Sequence, residues 1–253
     1  MKTLSERMPG AKLLSADGTE TQYQVEFDRG SFWLDLPTGK DPAEVGLIFV
    51  FSGKGGVGGD NNLTRSAIAG QFRREILAAG FGFVCAVCSP SAFGDPESTE
   101  ATLHASEYCR VHGLNVPDRI PLLGFSMGGL GALMFAVRHP EKTARVAEFF
   151  GITDLEQFFR EGKYPEILGR LTQEERTGRA PVRQVGQLRD IPILILHGDR
   201  DEIVDISHSE RLYAALKAQD CPVRFEVIPG YGHTNDILAA AGKYLKPFFG
   251  ENT

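Results

Sequence analysis

Six short, mostly apolar runs punctuate the chain, at residues 46–52, 82–88, 120–125, 144–150, 191–196 and 223–228. Runs with little polar alternation suit strands that are buried on both faces of a sheet. Between them the apolar positions take up a helical period. Ile68, Phe72 and Ile76 mark one face over 63–79, and Leu130, Leu133, Met134 and Val137 mark another that stops at Pro140. A helix over 96–112 opens with Asp95 as its N-cap and Pro96 in its first turn. Segments 207–218 and 235–248 complete the helical set. Strands alternating with helices predict βαβ units and a parallel sheet. Upstream the style differs. Residues 21–28 (TQYQVEFD) alternate, and 31–37 (SFWLDLP) follow an Asp-Arg-Gly turn, which predicts an antiparallel hairpin. The expectation is an α/β fold. It has a mostly parallel sheet of about eight strands, an antiparallel N-terminal hairpin and helices on both faces, all in one domain spanning 1–253. The segment 151–190 is charged and carries short helical pieces. A connection of about 40 residues is usually functional, so a short cap over a site is expected there.

Composition changes this picture little. The 253 residues are 42% apolar and 24% charged, as expected of a globular chain. The net charge of −6 comes without any basic cluster, so nucleic acid is not an expected partner. No apolar run approaches the ~20 residues of a membrane span. The N-terminus, MKTLSERMPG, has no apolar core of a signal peptide, and a cytoplasmic location is expected. Cys85 and Cys88 form a C-x-x-C but have no second ligand pair, so they read as ordinary strand cysteines and no metal is expected. Glycine is the exception. There are 29, against about 18 at the usual ~7%.

Many of those glycines cluster around candidate chemistry. Gly124-Phe125-Ser126-Met127-Gly128 is a G-x-S-x-G, placed between the 120–125 strand and the following helix. A sharp strand-to-helix turn needs small neighbours and lifts the serine hydroxyl to the helix N-terminus. Serine needs a base, and the base needs an orienting acid. His104, His112, His139 and His208 fall on or beside helices and read as surface or capping residues. His233 lies in Pro229-Gly230-Tyr231-Gly232-His233, a loop after the last strand. The acid is sought one strand earlier, in the loop after 191–196, where Asp199, Asp201 and Asp205 compete.

These motifs resemble the α/β-hydrolase superfamily over roughly 44–248, and most of all its dienelactone-hydrolase and prolyl-oligopeptidase-like branch. The 151–158 stretch (GITDLEQF) and Ala180-Pro181-Val182 carry the branch resemblance. The family pattern H-G-x-x-D, here from His197, implies Asp201 as the acid. His197 is then a loop anchor, with Asp205 as the alternative. The resemblance places one oxyanion donor on the Met127 N–H and the other in Ser52-Gly53-Lys54-Gly55, where the family commonly has H-G-x-G. Lys54 is the implied donor and Gly55 the runner-up. The same glycine-rich loop is similar to the phosphate loop of MinD/ParA-type ATPases, but it continues Gly59-Asp60 instead of Lys-Ser/Thr, so that reading fails.

The implied activity is that of a serine hydrolase cleaving a small carboxylic ester through an acyl-enzyme, with no cofactor. Ser126 rather than Cys argues against a true dienelactone hydrolase. About 40 residues precede the first core strand here, so the N-terminal propeller of the oligopeptidases is not expected. Cleavage of acylated or short peptides by the same triad is the alternative. A non-catalytic binding protein on the same fold is the alternative from another class. Gly55, Phe93, Phe150 and Tyr231 are the candidate substrate contacts, and Lys54 is a candidate for a substrate carboxylate. The expected partner is a small-molecule ester, and the expected state a monomer or homodimer.

Overall fold

A computed structural model describes residues 4–250. Among these residues nine strands form one sheet: β1 (Ala11–Ala16), β2 (Glu20–Phe27), β3 (Gly30–Pro37), β4 (Gly46–Phe51), β5 (Phe81–Ala86), β6 (Ile120–Phe125), β7 (Thr143–Phe149), β8 (Ile193–Gly198) and β9 (Val223–Ile228). Their spatial order is β1-β2-β3-β5-β4-β6-β7-β8-β9. The β1–β2, β2–β3 and β3–β5 pairings are antiparallel, and all pairings from β5 to β9 through β4 are parallel. The helices are α1 (Leu4–Arg7), α2 (Ala67–Ala78), α3 (Pro96–Val111), α4 (Met127–Arg138), α5 (Leu155–Arg160), α6 (Pro165–Leu168), α7 (Gln173–Gly178), α8 (Ser207–Lys217) and α9 (Leu238–Gly250).

The central strands divide their side chains between two cores, as the pleat requires. On β4, Leu47, Phe49 and Phe51 join α3, α4 and α8 on one face. Ile48 and Val50 join α2 and α9 on the other. This double covering explains why those strands read as continuous apolar runs. The predicted hairpin is present as β2–β3. The ninth strand, β1, went unseen because five of its six residues are exposed, so no burial period marks it. Helix α2 starts at Ala67, four residues later than its period suggests. Ser66 caps it by accepting from Ala69 N–H, while Asn61 and Thr64 bond loop groups upstream. Such side chains compete with helical bonding and favour a cap or turn.

Helix α4 is buried along 127–137. A helix apolar on every side must be covered on every side. Strands β4, β6 and β7 lie on one flank, and two 3-10 turns, Pro181–Arg183 and Val185–Leu188, cover another. The second half of the 151–190 segment therefore completes the core around α4. Its first half holds α5, α6 and Tyr164. Cys85, Cys88, Cys109 and Cys221 are all free thiols. Burial pushes Cys88 up to about 11 and raises Cys85 further, so neither is a thiolate at neutral pH.

Candidate active site

Ser126 follows the last residue of β6 and precedes the first residue of α4, with φ 55° and ψ −117°. A non-glycine residue in that region costs on the order of 1–3 kcal/mol and persists only when its surroundings enforce it. The enforcement is visible. Ser126 N–H donates to Phe149 O at 2.9 Å, and its carbonyl accepts from Gly129 N–H at 2.9 Å. Gly128 lies so close to the Phe51 carbonyl that any Cβ there would overlap it, and a Cβ at Gly124 would overlap the Gly128 carbonyl. Both glycines are therefore demanded by contact.

His233 Nε2 lies 2.9 Å from Ser126 Oγ, and its Nδ1 lies 2.7 Å from Asp201 Oδ2. The carboxylate accepts, so Nδ1 carries a proton and Nε2 is left to accept from the serine hydroxyl. The Asp201 side chain is fully buried. Burial alone would raise its pKa. Hydrogen bonds from His197 and His233 and from the Val204 N–H outweigh that and hold the carboxyl well below the usual range. Asp201 Oδ1 also accepts from the Ile203 N–H at 2.9 Å. His197 is buried between Ser209 Oγ, 2.7 Å from its Nδ1, and the Val204 carbonyl, 2.9 Å from its Nε2. It holds the loop of Asp201 in shape.

The competing residues are occupied elsewhere. Asp199 accepts from Gly230 N–H at 2.6 Å and so ties the loop of Asp201 to the loop of His233. Asp205 accepts from Ser207 N–H at 2.9 Å at the start of α8. His112 bonds the Tyr108 carbonyl, and His139 pairs with Glu100 at 3.2 Å. His208 differs from the expected surface residue. It is buried, beside Thr153 and Glu161, and burial lowers its pKa.

A pocket of about 340 Å³ opens beside Ser126 and His233. Of the predicted substrate contacts, Phe150 lines it, with its ring 4.4 Å from the His233 ring. Gly55, Phe93 and Tyr231 are not on its wall. The Gly55 N–H donates to Pro90 O at 2.8 Å, which also removes it as an oxyanion donor. Phe93 is buried in the core. Tyr231 serves through its backbone, accepting from Arg200 N–H at 2.9 Å. The remaining wall includes Lys54, Asn62, Arg65, Tyr164 and Asn235. A separate hollow of about 490 Å³ opens at the opposite, N-terminal strand ends, near Gly46, Phe81 and Pro121, and among the described residues its walls carry no serine or histidine.

The model of the prolyl oligopeptidase family matches residues 98–245, a stretch that contains Ser126, Asp201 and His233. The chain belongs to this family. It is 28% identical over 135 residues to the uncharacterized peptidase YtmA of Bacillus subtilis. That match covers 50% of this chain and 52% of the relative, so the chain spans about half the length of the curated protein it matches. The structure is similar to an S-formylglutathione hydrolase from Agrobacterium tumefaciens, with TM-score 0.71, 18% identity and coverage of 93% and 96% of the two chains. It is also similar to the Pyrococcus horikoshii acylaminoacyl peptidase, with TM-score 0.71, 15% identity and coverage of 95% of this chain and 41% of the other. At these identities the likeness establishes the α/β-hydrolase fold.

In this member of the family the loop after β4 is anchored without a histidine. Asn62 Oδ1 accepts from Ser52 Oγ at 3.0 Å and from Gly53 N–H at 2.7 Å. Its Nδ2 donates to Asn235 Oδ1 at 2.8 Å, two residues beyond His233. One amide thus joins the loop carrying Lys54 to the loop carrying the imidazole. The Met127 N–H, in the first turn of α4, has no earlier helical carbonyl to reach. The Lys54 N–H makes no hydrogen bond to the protein among the described residues. Little in the local sequence marks Asn62 for this role. Its only signal was a pair of asparagines ending a glycine-rich loop.

Glu148 on β7 is likewise unmarked in the local sequence. It is fully buried under the elbow, and its Oε2 accepts from Gly151 N–H at 2.7 Å. Its Oε1 has no partner among the described residues. Burial pushes this carboxyl up to about 7, against the pull of His197 and the Gly151 N–H. In the unfolded chain it ionises near 4.5. Its stabilising proton is fully present below that pH and is lost as pH rises through about 7. Glu148→Gln is expected to remove this dependence. The wild type should lose at most about 3 kcal/mol between pH 5 and 8 that the variant keeps. Denaturant unfolding of both proteins at the two pH values measures it, and equal losses would exclude the assignment.

Proposed function

We propose that this chain is a serine hydrolase that cleaves small carboxylic esters. The observation that carries the reading is the continuous hydrogen-bonded chain Asp201–His233–Ser126 at the edge of an accessible pocket. Ser126 Oγ attacks the ester carbonyl while His233 Nε2 takes its proton. The imidazolium is steadied by Asp201, and it returns the proton to the leaving alcohol. The negative charge that develops on the carbonyl oxygen falls to the N–H groups of Met127 and Lys54. Water then repeats the sequence on the acyl-enzyme. The modest pocket volume, with Tyr164 as its wall from the 151–190 segment, supports a small ester.

The family match and the name of the Bacillus relative favour a second reading, cleavage of short or acylated peptides by the same residues. The two separate on one panel. On p-nitrophenyl esters of two to eight carbons and on aminoacyl p-nitroanilides, kcat/KM is expected to be highest on the short esters. Faster anilide turnover would assign the peptidase activity.

A further inference from the structure

The chain is acidic overall, yet among the described residues the walls of the pocket beside Ser126 carry two cations, Lys54 and Arg65, and no carboxylate. The two cations are not equivalent. Arg65 Nε pairs with Asp60 Oδ1 at 2.9 Å, and its Nη2 donates to the Gly55 carbonyl at 2.5 Å. It is a clamp on the loop, and its charge is matched. Lys54 forms no ion pair among the described residues. Its Nζ lies 4.8 Å from the centroid of the Tyr164 ring. A cation over an aromatic face is attracted by the ring quadrupole, which holds it without neutralising it.

Tyr164 is itself an anomaly. Its φ is 48° and ψ 50°, left-handed for a non-glycine residue, and it precedes Pro165. A residue before proline is driven toward extended backbone, so this conformation is doubly disfavoured. What it achieves is a ring on the pocket wall, near Phe93 at 6.0 Å and Phe158 at 6.1 Å between centroids. The backbone strain is met by aromatic packing, and the result is a platform under the lysine ammonium.

We infer that Lys54 and Tyr164 form an anion subsite, and that the substrate is an ester bearing a carboxylate close to the scissile bond. This rests on the hydrolase reading above. An extended lysine reaches roughly 6 Å from Cα to Nζ, so a Lys54 whose N–H meets the carbonyl oxygen brings its ammonium within a few carbons of that carbonyl. The carboxylate could sit on the acyl chain or on the leaving group, and two substrate pairs distinguish them. Mono-p-nitrophenyl glutarate against p-nitrophenyl valerate probes the acyl side. 4-Acetoxybenzoate against phenyl acetate, each ratio corrected by its hydroxide-catalysed rate, probes the leaving group.

In one of the two pairs the wild type is expected to prefer the anion by about five- to tenfold in kcat/KM, the scale of a partly exposed ion pair. Lys54→Met should abolish that preference, and Lys54→Arg should restore part of it. Reading ratios cancels any change at the Lys54 N–H. The preference should also fall as salt rises from 20 to 500 mM, because the site is open to solvent. A wild type that turns over the neutral esters with less than a threefold preference in both pairs would overturn the subsite alone. So would a preference that survives in Lys54→Met. No turnover of any of the four esters would overturn the hydrolase reading beneath it.

Discussion

Ser126→Ala is expected to lower kcat/KM on a short p-nitrophenyl ester by on the order of 10⁵–10⁶-fold, the range seen when a nucleophile of this kind is removed. The loss is large because the other parts act through the serine. His233 has no proton to take, and Asp201 has no imidazolium to steady. What remains is binding and the two proposed N–H donors, which would still favour attack by water to a small extent. The fold should not follow the activity down. Alanine keeps a Cβ and inherits the same backbone at φ 55°, with the same contacts at Gly124 and Gly128. The thermal midpoint is therefore expected to move little. A fluorophosphonate probe should label the wild type at Ser126 and leave the variant unlabelled. Activity above about 1% in the variant, or labelling at another residue, would remove Ser126 as the nucleophile.

Asp201→Asn is expected to cost about 10⁴-fold in kcat, with the fold retained. Asparagine is nearly the same size and can still accept from the Ile203 and Val204 N–H groups, which bond Asp201 Oδ1. The damage is at the other oxygen. An amide nitrogen facing His233 Nδ1 donates, so the ring proton moves to Nε2 and the base is lost. The neighbouring aspartates give the control. Asp205→Asn leaves the imidazole untouched, because Asp205 serves the Ser207 N–H. Asp199→Asn can still accept from the Gly230 N–H. Each should cost less than about tenfold, well under the effect of a wrong tautomer. Equal losses at 201 and 205 would sink the assignment. Asp201 is held well below the usual carboxylate range. Loss of activity on mild acidification is therefore not expected to come from this group.

Some of this was legible in local pattern. The runs at 46–52 and 120–125, and the helix that begins after Ser126, follow from burial on two faces and from helical periodicity. The elbow was legible because its glycines stand beside the residue they serve. His233 and Asp201 came from loop position and chain order, and the choice among three aspartates needed the resemblance to α/β hydrolases. The burial of His208 was not legible, and neither was β1, whose exposed side chains leave no period to read.

The linear chain by itself determined the layered sheet, the sharp turn that exposes Ser126 and the loops in which a base and an acid would lie. These depend on neighbours a few residues apart, where sterics and burial leave a readable mark. The tertiary structure alone decided which groups meet. The bond from His233 to Ser126 spans 107 residues, and the bond from Asn62 to Asn235 spans 173. It also turned Glu148 from an apparent strand position into a buried carboxyl under the elbow, and set Lys54 over Tyr164 at the pocket wall. Contacts of that range are set by how the sheet orders its strands, and nothing in the local sequence records that order.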